Sequence, residues 1–327
     1  MLPDIDLLVL DIDGCIIPHF DIIVQTHNNF YEKLAFSRGL DSKELKLRIQ
    51  KHALEAKEDG QNLFNLVYND IGAGLHHFPF LLPLQESDKE LVAQLNAEKA
   101  AITDFFDHFI PTLAAIAFDE HGNRTHTKIA LLSDGQEAGV VNRLSFAVIN
   151  SQKIAGFLPN GFSVLDLIDR IYCLDDPFHP LDAEQEGINL ACTTRMAVIA
   201  KTEALPPTWH KPNPQGLQKI MADFGIKPEH TLMIGDTARD IQVAIDCGAH
   251  HAWQKHGADL SEDVLLHLQE LGDPTYKAGV EAVTQKLQQF AITTHHLDDG
   301  LINIFNYFAI APRCYLPVSQ SQHSCKP

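Results

Sequence analysis

The chain of 327 residues is short of positive charge, of paired cysteines and of long apolar runs, and each shortage excludes something. Lys and Arg total 25 against 43 Asp and Glu, a formal net charge of −18. So acidic a chain repels phosphate backbones and anionic lipid, which argues against nucleic acid and membranes as partners. Any anionic substrate must then meet locally supplied positive charge, from a metal ion or a well-placed lysine. The longest apolar runs, such as Leu7–Leu10, are far too short to span a bilayer. No basic region precedes that run; Asp4 and Asp6 stand there instead, so no signal peptide is expected. The six cysteines, Cys15, Cys173, Cys192, Cys247, Cys314 and Cys325, are scattered without a Cys-x-x-Cys pair. That pattern reads as free thiols of a reducing compartment, and a cytoplasmic location is expected. No internal repeat and no long low-complexity tract is found.

What is present is an ordinary globular composition, 45% hydrophobic and 21% charged. Leu7–Leu10 reads as a buried strand that runs straight into two aspartates and a glycine, "LLVLDIDGCI". From about Asp21 to Phe118 the apolar spacing turns helical, broken by the Gly- and Pro-containing piece 72–84. Strands resume at Lys128–Gly135 ("KIALLSDG") and Arg170–Leu174 ("RIYCL"), with a helix between them near Glu137–Val148. Residues 175–210 read as irregular, with room for a hairpin. Prolines open a helical stretch at "KPNPQGLQKIMADFG", and "HTLMIGDTARDIQVAIDCG" reads strand, loop, helix and closing glycine. "HHAWQ" and "FAITT" are candidate last strands, with helices between and after them. Strands alternating with helices predict an α/β fold, a doubly wound parallel sheet, with one all-helical block inserted after the first strand.

Three strands end in polar clusters: Asp11 and Asp13, Ser133 and Asp134, Asp236 and Asp240. In a parallel sheet these ends lie together, where ligands bind. Converging carboxylates repel one another and are costly to bury unless paired, hydrogen-bonded or bound to a cation. A hard divalent cation such as Mg²⁺ removes the repulsion, with one or two carboxylates, substrate phosphate oxygens and water as ligands. The bland readings are an Asx-type turn at Asp11–Gly14, a turn at Ser133, a solvated Lys211, and a helix cap at Asp236.

"DIDGC" (Asp11–Cys15), "LLSDG" (Leu131–Gly135), "HKPNP" (His210–Pro214) and "IGDTARDI" (Ile234–Ile241) resemble, in order, the four motifs of the haloacid dehalogenase superfamily. The resemblance implies a Rossmann-like core over 1–18 and 119–327, a helical cap domain over 19–118, and an extra insertion over 175–210. It implies a Mg²⁺-dependent phosphatase working through an aspartyl-phosphate. Chemistry alone does not divide the roles of Asp11 and Asp13. The resemblance makes Asp11 the nucleophile and Asp13 the general acid, then the base that activates water. It assigns the metal to the Asp11 carboxylate, the Asp13 carbonyl and Asp236, with Asp240 either a ligand or a supporting partner. It assigns the phosphate to Ser133, the Asp134 N–H and Lys211.

An acid two residues past the nucleophile suits phosphate esters; in the family pattern the dehalogenases lack it. The expected partner is a small-molecule phosphate ester. A phosphomutase of a sugar phosphate, or a non-catalytic regulator on the same fold, are the alternatives, and the oligomeric state is left open. A cap would exclude water and contact the leaving group. His19, Arg38, Arg48 and the His76–His77 pair are its candidates, each also readable as a solvated side chain. The other histidine pairs, His250–His251 and His295–His296, lack zinc-site spacing and read as surface. Cys15 reads as a small buried residue, with oxidation sensitivity the sharper alternative.

Overall fold

The computed structural model describes residues 5–42, 45, 86–106, 109–151, 158–159, 161–175, 192–236, 238–254 and 295–297. Leu7–Leu10 form β1, and all four are fully buried. Alternate side chains leave a strand on opposite faces: Leu8 and Leu10 join one apolar cluster, Leu7 and Val9 another. A strand apolar on both faces needs cover on both, which a parallel sheet with flanking helices provides.

After β1 come α1 (His19–Ser37), α2 (Glu86–Ile102) and α3 (Phe109–Ala117), then β2 (Lys128–Gln136), α4 (Glu137–Ser151) and β3 (Arg170–Leu174). The chain continues through α5 (Cys192–Lys201), β4 (Thr202–Leu205), α6 (Gln215–Phe224), β5 (Thr231–Gly235), α7 (Ala238–Cys247), β6 (His250–Gln254) and β7 (His295–Leu297). The seven strands lie in the order β4-β3-β2-β1-β5-β6-β7, and every pairing is parallel. Residues of α3, α4 and α5 cover one face of the sheet, and α6 and α7 cover the other. The predicted α/β doubly wound class is therefore the observed one.

Local sequence explains the elements. In α6, Leu217, Ile220 and Met221 fall on one stripe and pack on the sheet, while Gln218 and Lys219 face outward. Gly225 follows at φ 65°, its N–H donating to Ala222 O, a left-handed helix end. Of the helical block expected over 19–118, α1 packs along α2, while α3 is already back on the sheet through Phe109, Ile110 and Leu113. Asn150 of α4 donates to the carbonyls of Ala100 and Thr103 and so ties the end of α2 to the core.

Residues 192–205 differ from expectation. Where a hairpin or an added insertion was expected, 192–205 form α5 and β4, and β4 pairs parallel with β3 as the edge of the sheet. A four-residue edge strand with only Leu205 buried has no apolar run to announce it. Residues 176–191, the helices expected between the last strands, and the candidate strand 290–294 lie outside the described residues; β7 is described at 295–297.

From β1 the chain builds β2, β3 and β4 on one side and then crosses to β5 on the other. This reversal of direction, centred on β1, is the kind of crevice in which ligands of open parallel sheets bind. Leu10 is level with Leu131 on one side and Ile234 on the other. Asp11, Ser133 and Asp236 therefore emerge from three adjacent strands at nearly one height.

Candidate active site

Each of the three strand ends turns for a local reason. Asp11 donates its N–H to Ile234 O at 2.9 Å, a last bond from β1 to β5. Gly14 takes φ 81°, a conformation side chains disfavour, and the chain folds back so that Gly14 N reaches Ile17 O at 2.8 Å. At the end of β2 the register with β3 slips between Leu132 and Gln136, and Ser133 turns inward, 2% exposed, its Oγ accepting from Gly135 N at 2.9 Å. At the end of β5, a methyl group on Gly235 would collide with Cβ and Cγ of Asp240. Glycine there lets the first turn of α7 close over the strand.

The structure brings Asp11, Lys211, Asp236 and Asp240 together. All four are buried, and Asp240 has no exposure at all. One carboxylate oxygen from each of Asp11, Asp236 and Asp240 lies within 4.8 Å of the others. Lys211 Nζ donates to Asp11 Oδ1 at 2.7 Å, to Asp240 Oδ1 at 2.6 Å and to the carbonyl of Leu132 at 3.3 Å. Its loop is pinned to the end of β2, because Lys211 N–H donates to Asp134 Oδ1 at 2.7 Å. The solvated-lysine reading of Lys211 therefore does not hold, since the side chain is 4% exposed and saturated with acceptors.

Burial raises the Asp11 carboxyl to about 7; Lys211 pulls it down, and Asp240 and Asp13 push it up. Asp236 is raised well above the usual carboxylate range, by burial first and then by Asp11 and Asp240. Burial alone would lower Lys211, but Asp11 and Asp240 hold its ammonium above the ordinary value. Three carboxylates against one ammonium leave two negative charges, the amount a single divalent cation balances. A buried all-oxygen donor set with that residual charge fits Mg²⁺. Among the described residues it is the one group of three or more His, Cys, Asp or Glu side chains with metal-binding spacing.

The remaining candidates divide. Asp13 is not part of this group of three; its Oδ2 pairs with Nη2 of Arg143 of α4 at 2.9 Å. Asp134, expected to act through its N–H, uses its side chain as a brace: Oδ1 accepts from Lys211 N and Oδ2 pairs with Arg239 Nη1 at 3.2 Å. His19 is the first residue of α1, and Arg38 follows the far end of that 19-residue helix, about 28 Å along it at 1.5 Å per residue. Arg48, His76 and His77 lie outside the described residues. Cys15 is buried with its Sγ 3.8 Å from Ile234 O, and burial followed by the three carboxylates pushes its thiol far up, which keeps it protonated and supports the packing reading over oxidation.

Sequence reasoning missed Arg143 and Arg239. Arg143 is the one basic residue of α4, set among apolar neighbours in "VVNRLSF", and that isolation was the available signal. Arg239 sits between Asp236 and Asp240 in "DTARD" and reads as solvent-facing on any helix pattern.

Residues 208–276, which carry Lys211, Asp236 and Asp240, match a family model described as HAD-hydrolase-like. No curated protein matches the chain. Solved structures with some similarity to this chain include a HAD phosphatase from Thermococcus onnurineus, at TM-score 0.44 and 17% identity over 82% of this chain and 98% of that one. The HAD hydrolase YfnB of Bacillus subtilis, bound to magnesium, gives TM-score 0.43 and 14% identity over 79% and 89%. The L-2-haloacid dehalogenase of Xanthobacter autotrophicus gives 0.41 and 16% over 85% and 87%. The family match agrees, over 208–276, with the resemblance read from the HKPNP and IGDTARDI motifs. Among its described residues no helix is long and apolar enough to cross a membrane.

Proposed function

We propose that the protein is a phosphatase that hydrolyses a small phosphate monoester through an aspartyl-phosphate on Asp11. The observation that carries this reading is the buried cluster of Asp11, Asp236 and Asp240 around Lys211, with a second carboxyl, Asp13, two residues past Asp11. Asp11, Asp236 and Asp240, with the Asp13 carbonyl, would hold Mg²⁺. When bound, the ion neutralises phosphate charge and keeps Asp11 ionised. Asp11 attacks phosphorus in line, and Asp13 gives its proton to the departing alcohol oxygen. Asp13 then takes a proton from water as that water attacks the acyl phosphate, which releases inorganic phosphate and restores Asp11. Lys211 offsets the charge shared by Asp11 and the phosphoryl group. Ser133, on the neighbouring strand, would donate to a phosphoryl oxygen.

Asp13 favours phosphate ester over organic halide, since displacement of halide needs no protonated leaving group. A phosphomutase shares the first half-reaction but returns the phosphoryl group to the product. The test is a panel of phosphate monoesters with Mg²⁺ or with chelator, scored by inorganic phosphate. Metal-dependent release of stoichiometric phosphate supports the proposal. Isomerised ester with little phosphate would favour the mutase. No turnover of any ester alongside halide release from a 2-haloacid would overturn it, and inertness towards everything would favour a non-catalytic role.

A further inference from the structure

The backbone around Asp13 is fixed. Ile16 N–H and Ile17 N–H both donate to Ile12 O at 3.0 Å, Gly14 N–H donates to Ile17 O at 2.8 Å, and Asp13 forms a β-bridge to Ile17. What is left to set is the rotation of a short side chain, and a guanidinium holds it: Arg143 Nη2 donates to Asp13 Oδ2 at 2.9 Å. The pair is mostly buried, with 14% of the arginine side chain and 22% of the aspartate side chain exposed. Arg143 is held in turn. Val140, Val141 and Leu144 bury α4 in the core. The guanidinium lies against two glycines: a methyl group at Gly135 would sit 2.7 Å from Nη2 and 2.8 Å from Val140 Cγ2, and one at Gly139 would sit 3.2 Å from Nη1. A side chain at Gly135 would therefore displace the guanidinium from its place. Gly135 also donates its N–H to Ser133 Oγ at 2.9 Å. One arginine thus ties the turn after β1, which carries the candidate general acid, to the end of β2, which carries the candidate phosphate-binding serine.

We propose that Arg143 is a positioning residue for the reaction: by holding Asp13 Oδ2 it sets the direction in which that carboxyl delivers and takes its proton. The inference rests on the phosphatase reading and adds a residue to it. A guanidinium has donors only, and it donates to Oδ2 whether or not the carboxyl carries a proton, so the contact serves both half-reactions. The moving proton then belongs to Oδ1. In the first half-reaction it passes from Oδ1 to the ester oxygen as the bond from that oxygen to phosphorus breaks. In the second, Oδ1 takes a proton from water as the water oxygen bonds to phosphorus and the bond from phosphorus to Asp11 breaks. General acid catalysis typically contributes about 10²–10⁴-fold, and misplacing a catalytic group by about 1 Å can cost about 10²-fold. That cost falls on esters whose leaving oxygen needs the proton.

The test compares ethyl phosphate, whose alkoxide must be protonated as it leaves, with 2,4-dinitrophenyl phosphate, whose phenolate leaves without a proton. Wild type, Arg143→Met, Arg143→Lys, Asp13→Asn and the double variant Asp13→Asn with Arg143→Met are measured at saturating Mg²⁺, with circular dichroism to verify folding. Arg143→Met should lower kcat/KM for ethyl phosphate by at least about 30-fold and leave that for the dinitrophenyl ester within about threefold, because kcat/KM there reports only the first half-reaction. For the dinitrophenyl ester kcat and KM should fall together, since the second half-reaction still needs the base. In the Asp13→Asn background the arginine substitution should change neither ester by more than about twofold, because Arg143 acts through Asp13. Arg143→Lys keeps a donor on a shorter arm and should lose about tenfold, on ethyl phosphate alone; it carries the test if the methionine variant does not fold. Equal losses on both esters, an ethyl ester within about threefold of wild type, or a further loss in the Asp13→Asn background would mark a merely structural ion pair and overturn the inference while the phosphatase reading stands. If wild type releases phosphate from neither ester, the phosphatase reading falls and this inference with it.

Discussion

Replacing Lys211 by methionine keeps most of the side chain's apolar volume and removes its ammonium from the centre of the site. That ammonium sits 2.7 Å from Asp11 Oδ1 and 2.6 Å from Asp240 Oδ1. At an effective dielectric of about 20, each contact corresponds to about 6 kcal/mol of attraction before desolvation is counted. The cost of burying the lysine offsets much of this, and breaking a buried pair by removing one partner typically costs about 3–5 kcal/mol. The loss should depend on pH. A carboxyl raised from 3.8 to about 7 favours the folded state while protonated, so metal-free wild type itself loses stability as pH rises from about 4 to about 7. Without Lys211, Asp11 rises further, and the variant's deficit should be small near pH 5 and grow as pH passes 7. Denaturant unfolding in chelator at pH 5 and pH 8 measures it. A variant as stable as wild type at pH 8, or a deficit larger at pH 5, would refute the electrostatic account of this site.

The other predictions concern the same cluster. Mg²⁺ should raise the unfolding midpoint little at pH 5 and more at pH 8, because Asp11 and Asp236 are both raised by burial and must ionise to bind it; thermal scans with and without the metal check this. Gly235→Ala forces Asp240 off the first turn of α7, and an overpacked contact of this kind costs about 1–3 kcal/mol. Calorimetric titration should show weakened Mg²⁺ binding along with that loss. Leu8→Ala, at a residue of β1 with no exposure, should cost about 2–5 kcal/mol in chemical unfolding without altering the metal dependence of what folds.

Much of this site could be read in the sequence because its residues stand where apolar strands stop. "LLVL", "KIALL" and "TLMI" are short buried strands, and each is followed within two residues by Asp or Ser. Parallel pairing brings those ends to one height, so strand identification alone placed Asp11, Ser133 and Asp236 together. Lys211 was harder, since it comes from a loop after an edge strand that carries little apolar signal; its motif neighbours, rather than any periodicity, pointed to it. Arg143 and Arg239 were illegible for a different reason. Their roles depend on helix rotation and on which glycines clear a path, and neither shows in a pattern of apolar and polar letters. β4 was missed because Thr202–Leu205 buries only its last residue.

The central claim is that Asp11 takes the phosphoryl group. Asp11→Asn keeps the size of the side chain and removes the attacking charge, so the most direct measurement is its rate of phosphate release from an aryl phosphate at saturating Mg²⁺, with folding verified. The account predicts a loss of at least about 1,000-fold, equivalent to about 4 kcal/mol of barrier. A folded Asp11→Asn protein that releases phosphate at the wild-type rate would contradict it.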